Sequence, residues 1–317
     1  MMYLILSVLA LVGFMQAFRY AQHRSGSVMF VAAVNYTVAA LISVIVMLTG
    51  SDDPTQALTT PVITLGLANG ISYFLHLLII LASFRLAGVG VTSAILSTAV
   101  IIPVLTAHLL WDDKANAWQW AALGLLPIGM LLMRPRSANG IHLTWRADVL
   151  LVLLFIGGGV IQTIHKAIDV QSADAGASHA AVRHVYIAVL FVTTALCTIA
   201  YAVATRVKAD VAGTALGAII GAINATLTAL ILLALSVMSA AVYFPVSTAV
   251  VVALNVIISW LFWHERITRR QAVGLIVAVI IVVLANFGGE NTDDPNEAAT
   301  GDSTPAPDPS LHDDTAD

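Results

Sequence analysis

Residues 212–236 read AGTALGAIIGAINATLTALILLALS, an apolar run of membrane-spanning length that contains no charged side chain. A helix needs about 20 apolar residues to cross the hydrocarbon core of a bilayer. Only helices and closed barrels satisfy all their backbone hydrogen bonds in lipid. Since similar runs recur along the chain almost from end to end, the sequence predicts an all-α polytopic membrane protein.

Short polar loops separate these apolar runs, so that the runs can be counted. The longest loop, at about 169–180, divides the runs into five and five. We therefore predict ten transmembrane helices. They lie at about 2–22, 27–49, 60–84, 89–111, 117–134, 147–168, 181–205, 212–236, 240–263 and 271–287.

The composition agrees with a membrane protein and excludes several other classes. Hydrophobic residues make up 59% of the 317 residues and charged residues 10%, whereas soluble domains average about 25% charged residues. The single cysteine, Cys197, excludes an intrachain disulfide. No basic surface suited to nucleic acid is apparent, so no nucleic-acid partner is expected.

The acidic residues are concentrated at the end of the chain. Nine of the 18 Asp and Glu residues follow Phe287, in a segment that is also rich in Pro, Ser, Thr and Gly. Such a segment has too little apolar surface to fold. We predict a disordered acidic tail over residues 288–317.

Four short patterns occur in the same order before and after the longest loop. Gly13-x-x-Gln16-x-x-Arg19 matches Gly159-x-x-Gln162-x-x-His165, and Leu65-Gly66-x-x-x-Gly70 matches Leu216-Gly217-x-x-x-Gly221. Trp111-Asp112-Asp113 likewise matches Trp263-His264-Glu265, and Gly124 matches Gly274. Because five is odd, two such repeats must enter the membrane in opposite orientations, an arrangement typical of secondary transporters. The predicted repeats are residues 1–136 and 147–287, so that residues 1–168 hold the first repeat and the start of the second.

Two stretches of the chain resemble the drug/metabolite transporter superfamily, EamA type. They are Ala82–Met133 and Ala234–Asn286, each with small residues, an apolar helix, an acidic end and a final helix that bears glycine. The second stretch keeps the acid as Glu265, whereas the first has Asp112 and Asp113. The resemblance covers the body of the chain through residue 286. It implies a ten-helix transporter with both termini in the cytoplasm, and leaves the substrate open.

The basic residues favour the opposite orientation. Loops on one predicted side carry eleven Lys and Arg residues, and the side with both termini carries three. Basic residues on short loops mark the cytoplasmic side, so this count places both termini outside the cell membrane. The two predictions conflict.

Polar stripes on the third and eighth predicted helices are candidates for a substrate site. Asn69, Tyr73 and His76 share one helical face, and so do Asn224 and Thr228. These residues either line a central cavity or bond neighbouring helices, which is also a common role of polar residues in membranes. His76 is the candidate for proton coupling, because imidazole titrates near neutral pH.

Four further polar residues complete the candidate substrate-binding set. Gln16 and Gln162 occupy matching places in the repeats, where they either bind substrate or clamp helices. Lys166 extends to the membrane surface or, as the family resemblance implies, attracts an anion in the cavity. Asn255 is the most interior candidate of the ninth helix.

Several absences limit the chemistry. No Asp or Glu falls in the middle of a predicted span, which disfavours cationic drugs as the main cargo. The chain has no HExxH, GxSxG or P-loop motif, and no His, Cys and acid cluster has metal-ligand spacing. We therefore expect neither an enzyme nor a bound cofactor or metal.

These observations favour a secondary transporter or exporter of a small polar metabolite that is neutral, zwitterionic or anionic. The predicted halves rock about a midplane cavity, and a monomer suffices, although a dimer is compatible with the mechanism. Two alternatives remain: movement of lipids or lipid-linked substrates, and a non-transporting membrane scaffold or sensor whose acidic tail recruits a partner. The small solute and the lipid bilayer are the expected partners.

Overall fold

The described residues of the protein form long helices and contain no β-strand. The computed structural model describes residues 1–50, 52–86, 92, 95–133, 145–174, 178–263 and 268–287. The predicted tail at 288–317 and the predicted acidic position at Glu265 lie outside this part of the chain. The α-helices are α1 Met2–Arg24, α2 Val28–Thr49, α3 Thr60–Leu86, α4 Ile101–Leu110, α5 Ala117–Met133, α6 Trp145–Asp174, α7 His179–Ala204, α8 Val211–Leu235, α9 Ala240–Trp263 and α10 Arg269–Asn286.

Eight of the described helices are long and apolar enough to cross a membrane. They are α1, α2, α3 and α6 to α10. Two further apolar helical stretches, Ile95–Leu110 and Ala117–Leu132, are shorter than the others. The protein is therefore an all-α integral membrane protein with many spans, as the sequence predicts.

One predicted boundary is wrong. The loop expected at about 169–180 is shorter, because α6 continues to Asp174 and α7 begins at His179. The apolar pattern ends before the helix does, because the polar side chains in the last turns of α6 bind other groups of the same helix. Lys166 Nζ lies 3.3 Å from Asp169 Oδ2 on the same helix, and Ser172 Oγ donates to the carbonyl of Asp169 at 2.6 Å.

Local capping explains where several helices begin. The side chains of Ser27, Ser178 and Asp210 accept hydrogen bonds from backbone N–H groups in the first turns of α2, α7 and α8. Thr268 and Gln271 form a reciprocal capping box at the start of α10. These side chains satisfy backbone donors that have no partner within a helix, and so fix the helix starts at the short polar loops.

Two large hydrophobic clusters hold the bundle together in the described part of the chain. The first core joins α1, α4, α5, α9, α10 and the end of α8, and the second core joins α2, α3, α7 and parts of α6 and α8. Each core therefore combines helices from before and after the middle of the sequence. Representative members are Val8, Val104, Leu126, Ala249 and Ile281 in the first core, and Tyr36, Leu77, Ile168, Tyr186 and Leu232 in the second.

Two glycines let α3 lie close against α7. A Cβ atom on Gly66 would lie 2.8 Å from Val189 Cγ1, and one on Gly70 would lie 2.6 Å from Thr193 Cβ. Both distances are shorter than normal van der Waals contact, so any larger residue would force the helices apart. These glycines are helix-packing residues of the kind common in membrane bundles.

The matching glycines of α8 make the same contact with α2. A Cβ atom on Gly217 would lie 2.7 Å from Val34 Cβ, and one on Gly221 would lie 2.8 Å from Val38 Cβ. Val34 and Val38 are four residues apart, as are the partners of the α3 glycines on α7. The α3–α7 and α8–α2 contacts thus share one geometry.

The directions of several helices follow from contacts near their ends. Gly50, at the end of α2, lies beside His184, near the start of α7. The ring of Trp118, at the start of α5, lies 6.4 Å from that of Phe287, just after α10. Helices α2 and α7 therefore run antiparallel, and so do α5 and α10.

Candidate functional site

A chain of hydrogen bonds links α3, α6 and α7 inside the bundle. Asn69 Nδ2 donates to the Tyr186 hydroxyl at 2.5 Å, and that hydroxyl lies 3.1 Å from His165 Nδ1. The other imidazole nitrogen, His165 Nε2, lies 2.9 Å from the Tyr73 hydroxyl. Asn69, His165 and Tyr186 are at most 2% exposed. Four polar side chains are thus joined where lipid-like surroundings would otherwise make each one costly.

Asn69 sets the direction of this chain. Because the Tyr186 hydroxyl accepts a hydrogen bond from the Asn69 amide, its own proton is satisfied only by donating to His165 Nδ1. His165 then holds its proton on Nε2 and donates to the Tyr73 hydroxyl. The Tyr73 hydroxyl in turn interacts with the side chain of Thr228 on α8. We infer that His165 is neutral and held in one tautomer.

Among the candidate site residues, two buried polar atoms have no hydrogen-bond partner in the described part of the chain. They are Asn69 Oδ1 and His76 Nδ1, both on α3. Asn69 Oδ1 is an acceptor, and the imidazole nitrogen of His76 accepts or donates according to its tautomer. Buried polar groups in proteins are nearly always paired, so these two atoms have binding capacity for a further polar group.

His76 lies against the glycine-rich part of α6. A Cβ atom on Gly157 would lie 2.8 Å from His76 Nδ1, and one on Gly158 would lie 3.4 Å from its Cε1. The imidazole therefore occupies space that a side chain at position 157 would fill. This placement puts His76 between helices rather than toward lipid, and separates it from the hydrogen-bonded pairs around His165.

The remaining predicted site residues fall into separate contacts. Asn224 Nδ2 donates to Asn35 Oδ1 at 3.2 Å, which joins α8 to α2. Gln16 Nε2 donates to Asn255 Oδ1 at 2.7 Å, which joins α1 to α9. Gln162 Nε2 instead donates to the Gly158 carbonyl of its own helix at 3.2 Å. The two matching glutamines thus make different contacts.

Lys166 is paired with two carboxylates. Its Nζ lies 3.4 Å from Asp113 Oδ2 and 3.3 Å from Asp169 Oδ2, and its side chain is 11% exposed. Asp113 Oδ2 also accepts a hydrogen bond from the backbone N–H of Ala240 at 2.9 Å. Lys166 therefore lies in an ion cluster near one end of the bundle, where acidic side chains balance its charge.

The sequence predicts Asn69 and Tyr73 as site residues, and it does not predict His165 or Tyr186. The repeat pattern does include His165, which follows Gln162 by three residues as Arg19 follows Gln16, but the pattern assigns it no role in binding. Tyr186 lies in a long apolar helix, where a tyrosine hydroxyl needs a partner. No spacing rule connects Tyr186 with Asn69, which is 117 residues away.

Comparisons with known proteins bear on the fold only. No protein-family model matches the chain, and no curated protein matches it. A solved structure described as "Crystal structure of protein" is similar, with a TM-score of 0.76 over 91% of this chain and 96% of that chain. The two sequences are 10% identical, so the similarity extends to the helical architecture and no further.

Proposed function

We propose that the protein is a secondary transporter that moves a small polar solute across the cell membrane by alternating access. The solute is neutral, zwitterionic or anionic, and it binds beside the hydrogen-bond chain of Asn69, Tyr186, His165 and Tyr73. Transport draws on an ion or solute gradient, because the chain has no nucleotide-binding motif. A single chain carries both repeats and suffices for the cycle.

Two inverted five-helix repeats are part of this proposal, with ten membrane crossings in total. The matching glycine pairs of α3 and α8 support it, because they contact α7 and α2 in the same way. The second helices of the two repeats, α2 and α7, run antiparallel, and so do the fifth helices, α5 and α10. Inverted repeats of this kind place substrate sites near the membrane midplane.

The unpaired Asn69 Oδ1 carries the proposal. It is a fully buried hydrogen-bond acceptor at one end of an otherwise satisfied polar chain. A solute with a hydroxyl, amine or amide group would supply the missing donor. A purely structural network would gain stability by filling that position, whereas a transport site must leave it open for its substrate.

The substrate class follows from the charges around the site. The polar chain contains amide, hydroxyl and neutral imidazole groups and no carboxylate. Organic cations are favoured by buried carboxylates, so the site suits neutral or zwitterionic solutes best. His76 remains the candidate for coupling to protons, with its unpaired Nδ1 on the same helix.

We further propose that the chain belongs to the drug/metabolite transporter superfamily, EamA type. The two resembling stretches, Ala82–Met133 and Ala234–Asn286, and the pairing of equivalent helices support this assignment. The charge count favours both termini outside the cell, and the resemblance favours both inside.

Uptake into proteoliposomes from a pooled metabolite mixture, read by mass spectrometry, tests the function. We expect saturable enrichment of one solute class. Tyr73→Phe should weaken uptake, because it removes the hydroxyl that pairs with His165 Nε2. Ser72→Ala is the matched control, since it removes a hydroxyl from the adjacent position that bonds only to its own helix, at Ala68.

Three outcomes would contradict the proposal or part of it. Enrichment of no soluble compound, together with movement of labelled lipids between leaflets, would favour lipid translocation. Loss of activity on deleting residues 288–317 would favour a scaffold that depends on its tail, because a transporter keeps its flux without it. Equal solute uptake by the Tyr73→Phe and Ser72→Ala variants would show that the hydrogen-bond chain is not part of the substrate site.

A further inference from the structure

The ion cluster around Lys166 lies at the end of the bundle where the chain begins. It is formed at the end of α6, in the loop between α4 and α5, and at the first residue of α9. Asp169 also interacts electrostatically with Arg183 at the start of α7, and Arg183 interacts with Tyr3 of α1. All these groups therefore share the N-terminal end of the bundle.

The two carboxylates of the cluster belong to different parts of the protein. Asp169 is three residues from Lys166 on the same helix, so their contact constrains nothing else. Asp113 comes from the α4–α5 loop, and its Oδ2 is also held by the backbone N–H of Ala240. The Lys166–Asp113 contact is thus the one of the two that joins separate elements.

This contact also connects the two hydrophobic cores. Ala115, two residues after Asp113, and Ala240 are members of the first core. Ile168, two residues after Lys166, is a member of the second core. A relative movement of the cores that opens the N-terminal end would therefore have to separate Lys166 from Asp113.

The loop presents Asp113 in a fixed position. Asp112 adopts a left-handed backbone conformation with a φ of 54°, which ends α4. The backbone N–H of Asp113 then donates to the carbonyl of Ala107 at 3.3 Å. The Asp113 carboxylate is therefore aimed by backbone geometry, whereas the neighbouring Asp112–Lys114 ion pair is exposed and contributes little.

Asp169 makes separation of this contact feasible. Leaving a buried ammonium without a partner is strongly unfavourable. Because Asp169 stays with Lys166 on α6, the lysine keeps a counter-charge when Asp113 moves away. Asp113 likewise keeps the hydrogen bond from Ala240 at the positive end of α9. Both charges are stabilised in either position.

We propose that Lys166 and Asp113 form a latch that closes the N-terminal end of the transport pathway. The latch opens to admit or release the solute on that side, and Asp169 holds the Lys166 charge meanwhile. This inference rests on the proposed function, but its test needs no substrate.

The test is the accessibility of a cysteine placed at Thr228, which is 1% exposed and lies beside Tyr73. The native Cys197 is first replaced by serine. A small membrane-impermeant methanethiosulfonate reagent is then applied to one face of sealed vesicles at a time. Asp113→Asn should raise the labelling rate from the N-terminal face by about fivefold or more.

The matched control is Asp169→Asn, which neutralises the other partner of Lys166 and leaves the latch in place. We expect its labelling rate to stay near that of the parent. Asparagine at 113 can still accept the hydrogen bond from Ala240, so the start of α9 is preserved. Asp113→Glu keeps the charge and should restore slow labelling.

A second variant covers the case in which Asp113→Asn fails to fold. Lys166→Gln combined with Asp169→Asn removes the latch from the opposite side and should raise the labelling rate equally. An unchanged labelling rate in both latch variants would contradict the latch. Equal increases of the labelling rate in Asp113→Asn and Asp169→Asn would also contradict it. Faster labelling of the latch variants, together with no solute uptake by the protein that keeps Thr228, would support the latch and contradict the transport function instead.

Discussion

Gln16 of α1 donates a 2.7 Å hydrogen bond to Asn255 of α9, across 239 residues of sequence. Both helices belong to the first core, so this bond ties the start of the chain to its penultimate helix. Asn255 also donates to the Val251 carbonyl at 2.9 Å within its own helix. The pair thus has the features of an interhelical clamp.

A double-mutant cycle should detect this clamp. Gln16→Ala and Asn255→Ala are each expected to lower stability, and the double variant should lose less than the sum. The coupling should be about 0.6 kcal/mol, with an upper limit of about 1.7 kcal/mol, as found for side-chain hydrogen bonds in membrane proteins. Reversible unfolding in detergent measures it, and strictly additive losses would contradict the clamp.

Gly70→Ala should destabilise the protein by about 1–3 kcal/mol, the usual cost of overpacking. The added Cβ would lie 2.6 Å from Thr193 Cβ and 2.7 Å from the Leu190 carbonyl oxygen, and backbone cannot move aside cheaply. Gly221→Ala should behave alike, because its Cβ would meet the Asn35 carbonyl oxygen at 2.5 Å. Thermal unfolding in detergent gives the values.

Gly124→Ala is the control for both changes, since a Cβ at that position meets nothing within 4 Å. Its melting temperature should be unchanged or slightly higher, because alanine favours a helix. Equal effects at positions 70 and 124 would show that the close helix contacts do not limit stability.

His76→Ala should abolish stimulation of uptake by a pH gradient if this histidine couples transport to protons. The reason is that its Nδ1 is buried and unpaired in the described part of the chain, available to exchange a proton. His108→Ala is the comparison variant, because His108 Nδ1 accepts a bond from the Ala115 N–H near a loop. If uptake by His76→Ala still depends on the pH gradient, His76 does not couple transport to protons and only packs against Gly157.

Cysteine labelling in intact cells decides the orientation. Lys114 lies on the N-terminal side and is exposed, and Thr205 is exposed at the opposite end, after α7. In a Cys197→Ser background we expect an impermeant maleimide to label Lys114→Cys and not Thr205→Cys, as the basic-residue count predicts. The reverse pattern would place both termini in the cytoplasm, as the family resemblance implies.

The sequence predicts the helices better than it predicts their partners. Hydropathy and loop residues located the helix centres, because lipid requires long apolar runs. The end of α6 is not predicted correctly, since Lys166, Asp169 and Ser172 form polar helical turns whose composition resembles that of a loop. Asn69 and Tyr73 were recognisable as polar residues of one face.

The pairing of those residues was not predictable in the same way. His165 and Tyr186 complete the hydrogen-bond chain only because α6 and α7 lie against α3. The same holds for Lys166, whose partner Asp113 is 53 positions earlier in the sequence. Such partnerships depend on helix packing, which spacing along one helix does not encode.

The interleaved cores have a consequence for how the protein is made. The glycines of α3 pack against α7, and those of α8 pack against α2. Helices α2 and α3 are therefore synthesised before these packing partners exist. Neither half of the chain is then expected to fold independently, and the helices made first remain in the lipid without these partners until the later helices are inserted. Two fragments split near residue 140 should accumulate only when they are synthesised together.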